Sequence, residues 1–147
     1  MSLALNKEEL TEYLAQVFPQ VHQDFVVEAL SEDQITMRLV VEERHLRPGG
    51  TVSGPSMFGL ADVCVYAMVL ARKGRQSLAV TTNSSLDFLR KPDGTKDMIA
   101  HCKLLKLGRS LAVGDVLIFS EGSDKPVARA SMTYSIPPEG SAAAAFG

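Results

Sequence analysis

The sequence predicts an α+β fold, an antiparallel sheet of about six strands wrapped around one long buried helix. Three observations predict it. From Gly49 to Gly74 the chain reads GGTVSGPSMFGLADVCVYAMVLARKG, opening on turn-forming residues and closing on Arg72-Lys73-Gly74. Between those ends Leu60, Ala61, Val63, Cys64, Val65, Ala67, Met68, Val69, Leu70 and Ala71 leave almost no polar face, the pattern of a helix buried on most sides. Beyond Gly74 the chain reads as strands broken by turns.

The central helix has both of its ends marked. Pro55 suits a first turn, where its missing N–H is one the helix cannot use, and Ser53 or Gly54 can cap it. Terminal cations followed by Gly are a usual helix stop. At about 1.5 Å per residue the helix would run nearly 30 Å, enough to cross a small domain.

The other elements follow in chain order. Asn6-Lys7-Glu8-Glu9 resembles a capping box, and Leu10, Tyr13, Leu14, Val17 and Phe18 then recur at helical spacing until Pro19 ends the segment. Phe25 to Leu30 and Gln34 to Val41 are strand-like and joined by Ser31-Glu32-Asp33, which predicts a hairpin. Glu42 to Arg47 is charged and expected to be solvated. Ser77 to Leu89 alternates, with Leu78, Val80, Thr82, Ser84, Leu86 and Phe88 expected on one face. Pro92-Asp93-Gly94 is a turn. Met98 to Leu107 and Ser110 to Ser120 flank Gly108-Arg109, expected as a two-residue hairpin loop with Gly at positive φ. A last strand, Val127 to Ile136, stops at Pro137-Pro138.

The length of 147 residues suits one domain, expected over residues 1–138 with its short N-terminal helix, and residues 139–147 form an Ala- and Gly-rich tail expected to fray. A formal net charge of −2, with no basic face, argues against a nucleic-acid partner. The opening MSLALNKEEL is acidic and lacks the apolar stretch of a signal peptide. The longest apolar run, Val63 to Ala71, is too short to span a bilayer, so no membrane partner is expected. Cys64 and Cys102 sit inside apolar elements and read as reduced core residues of a cytoplasmic protein. His22, His45 and His101 have no spacing with the cysteines that reads as a metal site.

One residue of the helix does not fit a core. Asp62 is the sole charged side chain between Pro55 and Ala71. A buried carboxylate must be hydrogen-bonded, protonated or turned to a cavity. The helix N-terminus, about two turns away, offers free N–H groups and a positive dipole end to an oxygen that gains negative charge. Asp62 then reads as a base or nucleophile, or as a polar residue satisfied at a subunit interface; the residues alone leave both open. A single sheet also has two edges, so dimerisation by edge pairing or sheet stacking is a natural outcome.

Gly50, Gly54, Leu60-Ala61-Asp62, Thr81-Thr82-Asn83, Phe88-Leu89-Arg90-Lys91-Pro92 and Leu107-Gly108-Arg109, in that order and spacing, resemble the PaaI-like acyl-CoA thioesterases of the hot-dog fold. The likeness runs from about Val40 to Pro137. It implies hydrolysis of an acyl-CoA, no metal or prosthetic group, and homodimers assembling to homotetramers with sites at the dimer interface. It would make Asp62 the catalytic carboxylate and the Gly54 amide the polariser of the thioester carbonyl. The family's approach to the helix, Asn-x-x-Gly-x-x-His-Gly-Gly, is altered here to Arg47, Ser53 and Pro55 at the Asn, His and last Gly positions. Pro55 has no N–H to donate, which leaves the amides of Gly54 or Ser56.

Further candidates to touch substrate are Ser53, Ser56, Tyr66, Thr82, Asn83, Arg90 and Arg109. Ser53 orients water or merely caps the helix. Tyr66, one turn beyond Asp62, bonds the carboxylate, touches the acyl group or packs in the core. Asn83 lies in a polar run unusual for a core strand and lines the site or bonds at an interface. Arg90 and Arg109 are placed to hold CoA phosphates, against the alternative of plain surface charge. Besides thioester hydrolysis, the sequence leaves a non-catalytic acyl-CoA-binding or scaffolding protein, and more remotely a hydratase or dehydratase, which would need a His beside the helix start.

Overall fold

The computed structural model describes residues 3–138, so the expected tail lies outside the described residues. Helix α1 (Lys7–Val17) is followed by a four-residue helix α2 (Pro19–His22), strands β1 (Phe25–Leu30) and β2 (Gln34–Leu39), and a 3₁₀ turn (Glu43–His45). The long helix α3 (Gly54–Lys73) comes next, then β3 (Val80–Phe88), β4 (Met98–Leu107), β5 (Leu111–Ser120) and β6 (Ala128–Ser135). The strands form one antiparallel six-stranded sheet in the order β1-β2-β4-β5-β6-β3. It packs over α3 in the arrangement called the hot-dog fold.

Both helix starts follow their sequence signals. The Asn6 side chain accepts from the Glu9 N–H at 2.8 Å, and the Glu9 carboxylate accepts from the Asn6 N–H at 2.9 Å, which satisfies two first-turn donors reciprocally. The Ser53 hydroxyl accepts from the Ser56 N–H at 3.2 Å, and Pro55 sits in the first turn of α3. At the far end Gly74 takes φ +90°, a conformation L side chains rarely adopt, and its N–H bonds Leu70. Pro19 does more than end α1. It opens α2, because its fixed φ suits a first helical position as well as it forbids an interior one.

The core is the contact between α3 and the concave face of the sheet. Leu60, Ala61 and every residue from Val63 to Ala71 are buried, beneath Met98, Ala100, Cys102, Ala112, Val116, Ile118, Ala128 and Met132. Small residues on the central strands set the approach: a Cβ at Gly114 would stand 3.2 Å from Val65 Cγ2 and from Cys102 Sγ. At 20 residues α3 is long and apolar enough to cross a membrane, more than the run Val63–Ala71 suggested. Its burial under the sheet identifies it as a core helix. Cys64 and Cys102 are free buried thiols, and burial together with the neighbouring Cys102 pushes the Cys64 thiol up.

Two local expectations are corrected. The stretch from Glu42 to Arg47 is not wholly solvated, since His45 is buried with its ring satisfied internally. Its Nδ1 accepts from the Glu42 N–H at 2.9 Å, its Nε2 lies 3.4 Å from Asp24, and its carbonyl accepts from the Ser53 N–H at 2.8 Å. The β4–β5 loop is shifted by one residue from the sequence reading. The Gly108 N–H donates to the Leu111 carbonyl at 2.8 Å, which makes Arg109-Ser110 the loop, and Gly108 is not among the glycines at positive φ.

Candidate active site

A bulge in β3 builds the site around Asp62. From Asn83 to Phe88 the strand pairs regularly with β6, and Ser84, Leu86 and Phe88 share the inward face with their partners Met132, Ala130 and Ala128. Between Thr81 and Asn83 the register slips, so Thr82 is the extra residue and Thr81 pairs with Tyr134. The expected face of alternating residues is therefore broken before Asn83. Val80 is 55% exposed, Thr82 turns to the Thr133 carbonyl, and Thr81 points inward. Sequence alternation favoured Thr82 over Thr81 because it cannot register a one-residue bulge.

Thr81 and Tyr134 converge on one carboxylate oxygen. The Thr81 hydroxyl donates to Asp62 Oδ1, and the Tyr134 hydroxyl donates to the same Oδ1 at 2.8 Å, with the Asp62 carbonyl at 3.0 Å. Asp62 Oδ2 has no hydrogen-bond partner among the described residues. Burial, then the Asp62 charge, raises the Tyr134 phenol strongly, so it remains a donor at any ordinary pH.

Asp62 is half-buried and lines a cavity of about 380 Å³ together with Tyr66, Thr81, Tyr134 and, from the N-terminal helices, Phe18 and Gln20. Tyr66 donates to the Ser77 carbonyl at 2.8 Å rather than to the carboxylate, and burial pushes its phenol up to about 12. Its ring meets Phe18 edge-on at 5.9 Å and Tyr134 at 6.0 Å, so one side of the cavity is aromatic.

The helix start stands at the other end of β3. Phe88 covers it, and a Cβ at Gly54 would rest 3.5 Å from the Phe88 ring. Ser53 Oγ takes the Ser56 N–H, while the Ser56 hydroxyl lies 2.9 Å from Ser53 Oγ and 3.3 Å from the His45 carbonyl. The Gly54 N–H is left without a partner among the described residues. Asn83 is exposed on the outer face of the edge strand. Arg90 donates to the Pro126 carbonyl and borders a cleft with Lys91, Lys96 and Lys125, whereas Arg109 is exposed at the tip of the β4–β5 hairpin, at the opposite end of the sheet. Within one chain, then, Asp62 and Tyr66 come together, and Gly54, Ser53 and Ser56 form a second group.

Tyr134 and Phe18 were missed by sequence reasoning. A signal existed for Tyr134. It stands at an inward position after Ala128, Ala130 and Met132, where a buried phenol needs a hydroxyl partner. Phe18 gave only a helical spacing, shared with any core residue.

A hot-dog fold carrying a held carboxylate on its central helix places the protein among the hot-dog proteins as a class. The chain belongs to the thioesterase superfamily, whose profile matches residues 49–127. A crystal structure named as a thioesterase, from Silicibacter sp., is 64% identical with a TM-score of 0.88 and covers 94% of this chain and 96% of its own. An esterase-named protein of Pseudomonas aeruginosa is 31% identical over 108 residues, 73% of this chain and 78% of that relative. A mutant of the phenylacetic acid degradation protein PaaI from Thermus thermophilus, 24% identical with a TM-score of 0.70 over 81% of this chain and 99% of its own, is alike in fold.

Proposed function

We propose that the protein hydrolyses acyl-CoA thioesters in the cytoplasm, with Asp62 as general base or nucleophile and the Gly54 amide at the start of α3 polarising the carbonyl. The observation that carries this reading is Asp62 itself, fixed by two hydroxyls through Oδ1 and lining a cavity beside an aromatic wall. In the base route Oδ2 takes a proton from water as its oxygen attacks the carbonyl carbon. The C–S bond then breaks, and the departing thiolate takes up that proton. In the nucleophilic route Oδ2 attacks the carbonyl carbon, the C–S bond breaks and the thiolate departs to leave an Asp62 anhydride. Water then cleaves that anhydride to free the acid and the carboxylate, one of its protons going to the thiolate and the other to solvent.

The site needs two chains. Gly54 and Asp62 are eight residues apart on α3, about 12 Å along its axis, too far for one carbonyl to reach both, and along β3 they lie at Phe88 and Thr81. β3 is an edge strand with unpaired backbone groups and the exposed apolar side chains Val80 and Phe88. Antiparallel pairing of two β3 edges about a two-fold axis near Ser84 would set the Phe88 end of one copy against the Thr81 end of the other. Gly54 of a second copy would then approach Asp62. The same pairing would carry a second copy's Arg90 cleft toward Arg109, which supports both cations as phosphate contacts for CoA. Such dimers are expected to associate further into homotetramers.

The test is turnover of an acyl-CoA panel followed by free-thiol detection. Release of CoA from at least one member, abolished in Asp62→Asn, is the expected result. Tight acyl-CoA binding without turnover would instead make this a binding member of the fold.

A further inference from the structure

We propose that Tyr134 is a positioning residue that pins Oδ1 of Asp62 and so leaves Oδ2 as the oxygen that acts on water or carbonyl. The proposal rests on the thioesterase reading for its reaction, but its geometry stands apart from it. Tyr134 lies on β6, outside the residues matched by the superfamily profile, and reaches across from the sheet to the helix. Its hydroxyl is 2.8 Å from Oδ1 and 3.0 Å from the carbonyl of the same residue. One phenol thus fixes the Asp62 side chain relative to its own backbone.

A carboxylate has two equivalent oxygens and rotates between them unless something distinguishes them. Here both donors, Thr81 and Tyr134, fall on Oδ1. A half-turn about the Cβ–Cγ bond would exchange the two oxygens and restore the same bonding, but a tilt away from the sheet would break both bonds. The charged acceptor makes each bond stronger than one between neutral groups. Tyr134 is itself held in place: it is buried, and its ring packs 6.0 Å from that of Tyr66. Its hydroxyl is directed at Asp62, and it acts through that residue. Its hydroxyl bonds the ionised carboxylate and fixes its orientation.

The experiment compares the pH dependence of kcat/KM for wild type and Tyr134→Phe, a change that removes one hydroxyl and little volume. Loss of a donor to an ionised acceptor makes protonation easier, so the acid limb of the profile moves to higher pH by about one unit. At neutral pH kcat falls about tenfold with KM little changed. An acid limb that stays in place while activity drops would reduce Tyr134 to a packing residue and overturn the proposal. Should Tyr134→Phe fail to fold, 3-fluorotyrosine at position 134 supplies a stronger donor, and the limb must move the other way.

A second measurement needs no turnover. The Tyr134 hydroxyl proton, sheltered and bonded to a carboxylate, is expected as a slowly exchanging downfield proton resonance, absent in Tyr134→Phe and moved upfield in Asp62→Asn. If the wild type hydrolyses no thioester, the thioesterase reading fails while this resonance still decides the contact. A resonance unaffected by Asp62→Asn would overturn the positioning role whatever the activity.

Discussion

At the level of single residues, Asp62 is distinguished by its setting. It is a carboxylate on a helix whose other central residues are apolar, and the fold supplies it with two hydroxyl donors and an open cavity. Asp62→Asn keeps the shape and the ability to accept from both hydroxyls but removes the charge. Turnover is expected to fall about a hundredfold or more while the circular dichroism spectrum stays native. Near-normal turnover in a folded variant would remove Asp62 from the chemistry. Arg109 lies exposed at the β4–β5 tip and donates to no described group. Arg109→Ala is expected to raise KM for CoA esters and spare short thioesters that lack the nucleotide; equal losses on both would assign it a structural part. Asp62 was legible in the sequence because charge inside an apolar helix is visible without coordinates. The meeting of Thr81 and Tyr134 at the carboxylate was not, because it depends on a register between strands separated by some fifty residues of chain.

At the level of elements, the β3 bulge and the Arg38 network show what sequence pattern can and cannot carry. Helix α3, with its Ser53 cap and Gly74 stop, appeared where Pro, Ser and Gly predicted, because caps are local chemistry. The bulge is a pairing defect, and nothing in Thr81-Thr82-Asn83 alone announces it. It yields a sharp contrast: Thr81→Val should lower kcat severalfold through loss of its donor to Asp62, whereas Thr82→Val, which loses a bond to the Thr133 carbonyl, should not. Equal effects would mean that Thr81 does not serve the carboxylate.

Arg38 on β2 ties three other segments through Glu28, Asp97 and Glu121, at 2.6, 2.9 and 2.8 Å. The Arg38 guanidinium holds the Glu121 carboxyl below its ordinary value of 4.5. A depressed folded-state pKa stabilises the fold above the unfolded value, and that stabilisation is lost as pH falls through the folded one. Glu121→Gln should therefore flatten part of the acid-side fall in melting temperature, and parallel curves for the two proteins would contradict the link.

At the level of the whole molecule, the proposed site is divided between the two ends of β3. Gly54 and Asp62 stand eight residues apart on α3, about 12 Å along its axis. The fold adds that Phe88 covers one and Thr81 holds the other, along the edge strand β3. What the sequence could not show was which strands form the two edges, since strand order is set by pairings remote in the chain. The direct test mixes two inactive variants, Asp62→Asn and Gly54→Val, unfolded together and refolded so that hybrid dimers form. If each site takes Asp62 from one copy and the Gly54 amide from the other, every hybrid carries one doubly defective site and one intact site. Random pairing then restores about a quarter of wild-type activity. A mixture that stays inactive, with hybrids confirmed by native mass spectrometry, would contradict the shared site.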